Sequence, residues 1–255
     1  MPKSHDDDLF SRNAPFVGTA TQARLSRIRV GLVGCGLASQ IALALARLGV
    51  KRFWLWDFDS VELSNLNRQA FLEEHEGMNK AAATADLLQR FSSTVTIGCV
   101  EERFLPAHLE SVLPGLDVVV NSIDFDDPLV YDVSDTMQRS QGWCIQPLNL
   151  GFGGSCVVLG PTSPSLAKLT SGRQSTAATF VQNLLAACSG FQPSETLMGI
   201  GPALLDTGDQ SGSFPQNIVA TLTTTALVTW CVTRIAEDEG AKIQAPRLMH
   251  FEPRV

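Results

Sequence analysis

Two glycines that directly follow a short apolar run constrain the fold of this chain most strongly. Residues 28–33 are rich in branched apolar side chains and precede Gly34 and Gly36, and a second apolar run, residues 53–56, ends at Asp57. Glycines allow a tight strand-to-helix turn that approaches phosphate groups, and an acid after the next strand can accept hydrogen bonds from ribose hydroxyls. The pattern predicts a nucleotide-binding unit in which Gly34, Gly36 and Asp57 contact the ligand.

The rest of the chain alternates between short apolar runs and segments with helical spacing. This alternation is typical of an α/β fold, here a Rossmann-like and mostly parallel β-sheet that is flanked by helices. The predicted strands are residues 28–33, 53–56, 95–100, 117–122, 144–148, 155–159 and 247–251. The predicted helices are residues 38–48, 80–91 and 217–238.

The same sequence pattern predicts four consecutive regions. Residues 1–25 form an N-terminal arm, and residues 26–160 form the nucleotide-binding Rossmann-like domain. Residues 161–216 are rich in Ser, Thr, Gly and Pro and form a long crossover, which we expect to serve the substrate because an ordinary connection is much shorter. Residues 217–255 return as a helix and a strand that complete the domain.

A polar stretch after the second predicted strand carries the most specific chemical signal. Its candidate ligand-binding side chains are Asp57, Asp59, Asn65, Asn67, Arg68 and Gln69. Eleven residues beyond Gln69, Lys80 begins a predicted helix. The planar guanidinium of Arg68 suits phosphate, and Lys80 adds a point charge at a helix N-terminus. Together these residues could hold a triphosphate.

Composition excludes several classes of function. The chain has 19 basic and 26 acidic residues, a net charge of −7, which argues against nucleic acid as a partner. Its six cysteines form no CxxC pair, so we expect no zinc site, and free thiols fit a reducing cytoplasm. The polar N-terminus does not resemble a signal peptide. The apolar residues 218–236 include Arg234 and six threonines, which favours a buried core helix over a membrane span.

Several of these motifs occur together at the spacing of a known family. The chain resembles the ThiF/MoeB/HesA branch of the ubiquitin-activating-enzyme-like adenylyltransferases, in a zinc-free form. The resemblance is carried by Phe10-Ser11-Arg12-Asn13, Asp57-Phe58-Asp59, Ser64-Asn65-Leu66-Asn67-Arg68-Gln69, Gly77-Met78-Asn79-Lys80 and Asp117-Val118-Val119-Val120-Asn121-Ser122-Ile123-Asp124. It extends over residues 10–125, is looser over 144–160 and 213–252, and is almost absent from 161–212.

The resemblance implies a role for each matching residue. The acid at the position of Asp57 holds the ribose of ATP, and the acid at the position of Asp124 binds Mg²⁺ and is needed for adenylation. Residues matching Asn65, Arg68 and Lys80 contact the phosphates. An arginine matching Arg12 reaches the phosphates from the partner subunit, which implies a homodimer.

The implied reaction is the activation of a carboxylate as an acyl-adenylate, with release of pyrophosphate. The carboxylate could be the C-terminus of a sulfur-carrier-like protein or a peptide carboxylate in natural-product biosynthesis. Three alternatives stay open: an ATP-dependent tRNA-modifying dehydratase of the same superfamily, a non-catalytic scaffold, and a nicotinamide-dependent oxidoreductase. The oxidoreductase would leave Arg68, Lys80 and Asp124 without a role.

Some relatives transfer the acyl group to a cysteine in the crossover. Cys188 is the one cysteine within residues 161–216 and is therefore a candidate thioester cysteine. A reactive cysteine needs a lowered pKa, and nothing in the sequence indicates one. A buried structural thiol is the favoured interpretation of Cys188.

Overall fold

A seven-stranded sheet forms the centre of the computed structural model, which describes residues 9–194, 198 and 216–252. The strand order across the sheet is β3-β2-β1-β4-β5-β6-β7. The strands are β1 (Arg29–Val33), β2 (Arg52–Trp56), β3 (Thr96–Val100), β4 (Val118–Asn121), β5 (Trp143–Leu150), β6 (Gly153–Leu159) and β7 (Leu248–Phe251).

Helices cover both faces of this sheet and connect most of its strands. Those in the described residues are α1 (Ala14–Val17), α2 (Thr19–Leu25), α3 (Ala38–Leu48), α4 (Lys80–Phe91), α5 (Pro106–Ser111), α6 (Leu129–Arg139), α7 (Leu166–Leu169), α8 (Ala177–Ala187) and α9 (Ile218–Ala236). Short 3-10 turns occupy Leu63–Asn65, Glu73–His75, Leu113–Gly115 and Gly240–Lys242.

The five strands from β3 to β5 are parallel, whereas β6 and β7 are antiparallel to their neighbours. The chain leaves β1 toward β2 on one side and later returns to place β4 on the other side of β1. The strand order therefore reverses between β1 and β4. In open α/β sheets, ligands bind beyond the carboxyl ends of the strands at such a switch point.

The core divides into two apolar layers, one on each face of the sheet. On the first face α3, α4 and α9 pack against strand residues such as Val30, Leu32 and Phe53. On the second face α6, α7 and α8 pack against residues such as Val33 and Trp56. Burial on both sides explains why the central strands are continuous apolar runs rather than alternating ones.

Helix α9 is apolar and long enough to cross a membrane by length and composition. In the fold it packs against β5, β6 and α3 instead. Its contact with β6 is close, because a Cβ built on Gly154 would lie 2.2 Å from the backbone nitrogen of Thr224. Only glycine allows that approach, which agrees with the prediction of a core helix.

The α/β class and the mostly parallel sheet are confirmed, and each predicted strand and helix is present within a few residues of its expected bounds. Two longer helices were not predicted. Helix α6 follows β4, and α8 lies within the crossover, so the described part of residues 161–216 contains regular structure. The remainder of that segment, residues 195–197 and 199–215, lies outside the described residues.

Candidate nucleotide-binding and active site

The turn that follows β1 requires glycine at position 34. Gly34 has a φ of 86°, in the left-handed region. A Cβ at this position would lie 2.7 Å from the carbonyl oxygen of Ser122, at the end of β4. The amide N–H of Gly34 donates to the carbonyl oxygen of Trp56 at 2.9 Å. The ends of β1, β2 and β4 are thereby held close together around this turn.

Asp57, directly after β2, joins the glycine turn to the next loop. Its Oδ2 accepts the Cys35 amide N–H at 2.6 Å, and its Oδ1 accepts the Asp59 N–H at 2.8 Å. The carboxylate is buried. Burial raises the pKa of Asp57, while the two amide donors and Lys80 oppose that rise. The two hydrogen bonds fix the orientation of a buried acid at the predicted ribose position.

Ser39 stands where the usual glycine pattern has its third glycine, and it ties two segments together. Its hydroxyl donates to the Gly36 carbonyl oxygen at 2.7 Å and accepts the Ala70 amide N–H at 3.0 Å. Gln69 therefore lies beside the turn, where its Nε2 would be 3.1 Å from a Cβ at Gly36. The buried Gln69 Oε1 has no hydrogen-bond partner within the described residues.

Lys80 is positioned by the N-cap of α4. The Asn79 side-chain oxygen accepts the amide N–H groups of Ala81 and Ala82, and its Nδ2 donates to the Asp57 carbonyl oxygen at 2.9 Å. Asn at an N-cap satisfies donors that a helix cannot pair internally. Lys80 consequently begins the helix next to the acids, with its Nζ 2.9 Å from Oδ2 of Asp59.

Asp124 follows β4 on the opposite side of the switch point from Asp57. Burial raises the pKa of Asp124, the carboxylates of Asp126 and Asp59 raise it further, and Lys80 opposes the rise. Within the described ranges no three His, Cys, Asp or Glu side chains form a metal-binding group. Mg²⁺ is commonly held by one or two carboxylates together with substrate phosphates. Asp124, beside Lys80 and Asp59, fits a metal that arrives with a triphosphate.

These residues line one cavity of about 600 Å³ at the carboxyl ends of the strands. Seven of the residues predicted from the sequence border it: Gly34, Gly36, Asp57, Asp59, Gln69, Lys80 and Asp124. They come from four separate chain segments that the sheet order brings together. The cavity continues toward α8, so the crossover also contributes one of its walls.

Three other predicted residues lie in the same polar stretch but do not line this cavity. Arg68 donates to the Ser64 carbonyl oxygen at 2.8 Å and to Oδ1 of Asn67 at 3.0 Å. Its partial burial lowers the pKa of the guanidinium. Oδ1 of Asn65 accepts the Glu62 amide N–H at 3.2 Å and stabilises the 3-10 turn. Phosphate contacts by Asn65, Asn67 and Arg68 therefore stay predictions.

Arg12 and Cys188 are also not among the residues that line the cavity. Arg12 is exposed on the arm that precedes α1. Cys188 directly follows α8, and burial raises the pKa of its thiol to about 11. A thiol of this kind is protonated at neutral pH, so the geometry favours the structural interpretation of Cys188. A contribution by Arg12 would have to come from another subunit or a different position of the arm.

Several polar residues that line the cavity were not singled out from the sequence, among them Arg103 and Gln146. The guanidinium of Arg103 lies 4.2 Å from the Phe58 ring centroid and 3.1 Å from Oδ2 of Asp127. Gln146 lies in the middle of β5 and is fully buried. A glutamine within a run of apolar strand residues is the available sequence signal for Gln146, whereas Arg103 follows β3 in a segment without a motif.

A doubly wound sheet with a glycine turn, a fixed acid and a lysine at its switch point defines a nucleotide-binding α/β protein. The chain belongs to the ThiF family, whose sequence pattern it matches over residues 10–247. It is 28% identical over 203 residues to the adenylyltransferase and sulfurtransferase MOCS3-1 of Zea mays, which covers 74% of this chain and 43% of that protein. The chain spans less than half the length of such curated relatives.

Solved structures share the fold at low sequence identity. E. coli MccB with ATP superposes with a TM-score of 0.67 at 18% identity, covering 94% of this chain and 67% of that one. PaaA superposes with a TM-score of 0.72 at 16% identity, covering 99% of this chain and 81% of that one. The resemblance to the ThiF family is thus confirmed by sequence, and its fold by structure.

Proposed function

We propose that this protein is an ATP-dependent adenylyltransferase that activates a carboxylate as an acyl-adenylate and releases pyrophosphate. One observation carries the proposal: the glycine turn, Asp57, Lys80 and Asp124 border a single cavity. Nucleotide-binding turns occur in many enzymes, but a dehydrogenase has no use for a lysine and a metal-binding acid beside the phosphates. The relatives named adenylyltransferase and the MccB structure with ATP support the same activity.

Each side chain has a distinct task in this proposal. Asp57 is held by two amide donors and keeps lone pairs for the ribose hydroxyls. The glycine turn and the N-terminus of α3 approach the phosphates. Lys80 lies where negative charge grows on the leaving pyrophosphate as the substrate carboxylate attacks the α-phosphorus. Fixed charges of this kind stabilise a transition state because they need no reorganisation.

Asp124 would hold Mg²⁺ together with the phosphates of ATP. When bound, the metal neutralises phosphate charge and polarises the phosphoryl oxygens. Asp124 would contribute a carboxylate oxygen near Lys80, and its raised pKa follows from partial burial among other acids. Arg103, at the same cavity, is braced by Asp127 and Phe58 and would offset part of the remaining negative charge.

We also propose that the protein is a cytoplasmic homodimer that acts on a small protein or a peptide. Helix α9 exposes Val219, Leu222 and Trp230 along one side, a face that a second copy would cover. Arg12 is exposed on the neighbouring arm and would reach the partner's phosphates. Mixing Arg12→Ala with Asp124→Ala tests this directly: subunits that complement each other restore activity, whereas an arginine acting within its own chain does not.

The first experiment is ATP–pyrophosphate exchange with Mg²⁺, comparing the wild type with Asp124→Ala. The substrates are carboxylate-bearing peptides and small proteins encoded near this gene. Exchange that depends on one substrate and decreases by about 10²- to 10³-fold in the variant supports adenylation. Exchange that is absent with every substrate, although ATP binds, would contradict it and favour a non-catalytic family member.

A further inference from the structure

The half of the cavity that lies away from the glycine turn is lined mainly by apolar side chains, with Gln182 of α8 as a polar exception. Helix α8 directs Ala177, Val181 and Leu185 toward it, at intervals of four residues, so one face of the helix forms a wall. The opposite wall comes from β5 and from the loop after α8. Its apolar side chains are Leu148, Leu150, Phe191 and Pro193. The ribose and phosphates of a nucleotide are polar and would not fill this half.

A buried amide borders the same space. Gln146 is 0% exposed, and neither its Oε1 nor its Nε2 has a hydrogen-bond partner among the described residues. A buried polar group without a partner destabilises a folded protein, and such groups are rare. A side-chain amide that retains a free donor and a free acceptor is complementary to another amide, which presents both.

Building on the proposed adenylation, we infer that the substrate is a peptide whose carboxyl-terminal residue has a bulky apolar side chain. The apolar side chain packs against α8, the preceding peptide group pairs with Gln146, and the carboxylate faces the nucleotide. A free carboxylate would satisfy only the donor of Gln146, and a cation only its acceptor. A tail that ends in glycine would leave the apolar walls without contact, so the cavity selects against it.

Direct binding tests this substrate class separately from catalysis. We would titrate the full chain, with Mg²⁺ and a non-hydrolysable ATP analogue, with N-acetyl-glycyl-leucine and with N-acetyl-glycyl-glycine by calorimetry. One methylene in an apolar pocket changes the preference between two substrates by about 10- to 200-fold. The leucine peptide should therefore bind at least about tenfold more tightly than the glycine peptide. Leu185→Ser should reduce this preference, whereas Ala186→Ser, an exposed neighbour on α8, should retain it.

The role of Gln146 is tested with an ester analogue of the leucine peptide that lacks the amide N–H. The wild type should bind the ester about tenfold less tightly than the amide. Gln146→Leu should bind both equally, and thermal unfolding should show that it is at least as stable as the wild type, since an unpaired buried amide is removed. A purely structural Gln146 would give the same amide-to-ester ratio in both proteins and would overturn this contact.

The outcomes separate the inference from the proposed activity. Equal affinity for the two peptides, tighter binding of the glycine peptide, or binding of neither would overturn the inferred substrate class. Pyrophosphate exchange that proceeds equally with both peptides would also overturn it while supporting adenylation. A clear preference for the leucine peptide without any exchange would support the substrate class and contradict the adenylyltransferase proposal.

Discussion

The ammonium of Lys80 lies 2.9 Å from a carboxylate oxygen of Asp59, and the lysine side chain is only 12% exposed. Its aliphatic stem is enclosed by protein while its charged end faces the cavity acids. Lys80 is thus held in place by Asp59 before any nucleotide arrives, and a triphosphate would find a positioned cation. Such preorganisation removes part of the entropy cost of ordering a long flexible side chain.

We predict that Lys80→Ala lowers the rate of ATP–pyrophosphate exchange by about 10²- to 10³-fold, the usual effect of removing one fixed transition-state contact. The variant loses a positive charge and leaves Asp59 and Asp124 without a nearby cation. Lys168→Ala, which removes an exposed lysine outside the cavity, is the matched control. Similar rates for both variants would show that Lys80 does not act on the phosphates.

The pH dependence of exchange should reveal the raised pKa of Asp124. Because the ionised carboxylate is the form that would hold Mg²⁺, an elevated pKa means that kcat/KM falls on acidification at a higher pH than for an ordinary aspartate, about 4. Asp126→Asn removes a neighbouring negative charge, lowers the pKa of Asp124 and moves the acid limb to lower pH. Asp238→Asn, a distant exposed acid, should leave the limb in place.

The glycine at position 34 offers a test of the close approach between β1 and β4. Gly34→Ala should destabilise the fold and weaken ATP binding, because its φ of 86° is unfavourable and its Cβ would meet the Ser122 carbonyl oxygen at 2.7 Å. Gly18→Ala has a similar φ of 76° but nothing within 4 Å of the added Cβ. Gly18→Ala therefore reports the backbone strain alone, and the larger decrease in Tm expected for Gly34→Ala reports the clash. Equal decreases in Tm would contradict a role for the clash.

The sequence was sufficient to predict helices whose ends are set by residues next to them in the chain. Helices α3 and α4 begin and end at the predicted residues, because glycines precede one and an Asn cap precedes the other. Helix α8 was missed because its eleven residues lie in a stretch whose composition indicates loops. Packing of Val181 and Leu184 into the second core layer stabilises it, and that contact depends on the whole fold.

The candidate site also contains some residues that the sequence could predict and others that it could not. Gly34, Asp57 and Lys80 were predictable because each directly follows or begins an element at one edge of the sheet. Arg103 lies in the cavity only because the connection between β3 and α5 crosses that edge. Arg68 has the right chemistry for phosphate, yet its guanidinium donates to Ser64 and Asn67 of its own loop and to Gln216 at the cavity edge. Spacing along the chain specifies the edge of the sheet but not the direction of a long side chain.

The last prediction concerns the cap that positions Lys80. Asn79→Ala removes two acceptor contacts to the first turn of α4 and the donor contact to the Asp57 carbonyl oxygen. Loss of such a cap typically lowers the free energy of unfolding by about 1 kcal/mol. Here the loss also removes the contact that positions Lys80, so the rate of pyrophosphate exchange should fall together with the stability. We expect a lower midpoint in urea and, at temperatures where the protein is fully folded, a reduced exchange rate with a raised KM for ATP.

Ser165→Ala is the matched control for Asn79→Ala, because Ser165 caps α7 by accepting the Lys168 amide N–H and lies outside the residues that line the cavity. It should lower the urea midpoint without changing KM for ATP. If both variants lose stability and neither changes KM, the cap supports only the helix. A change in KM confined to Asn79→Ala would show that the cap places Lys80, since both variants lose a helix cap and only one of those caps lies beside the nucleotide.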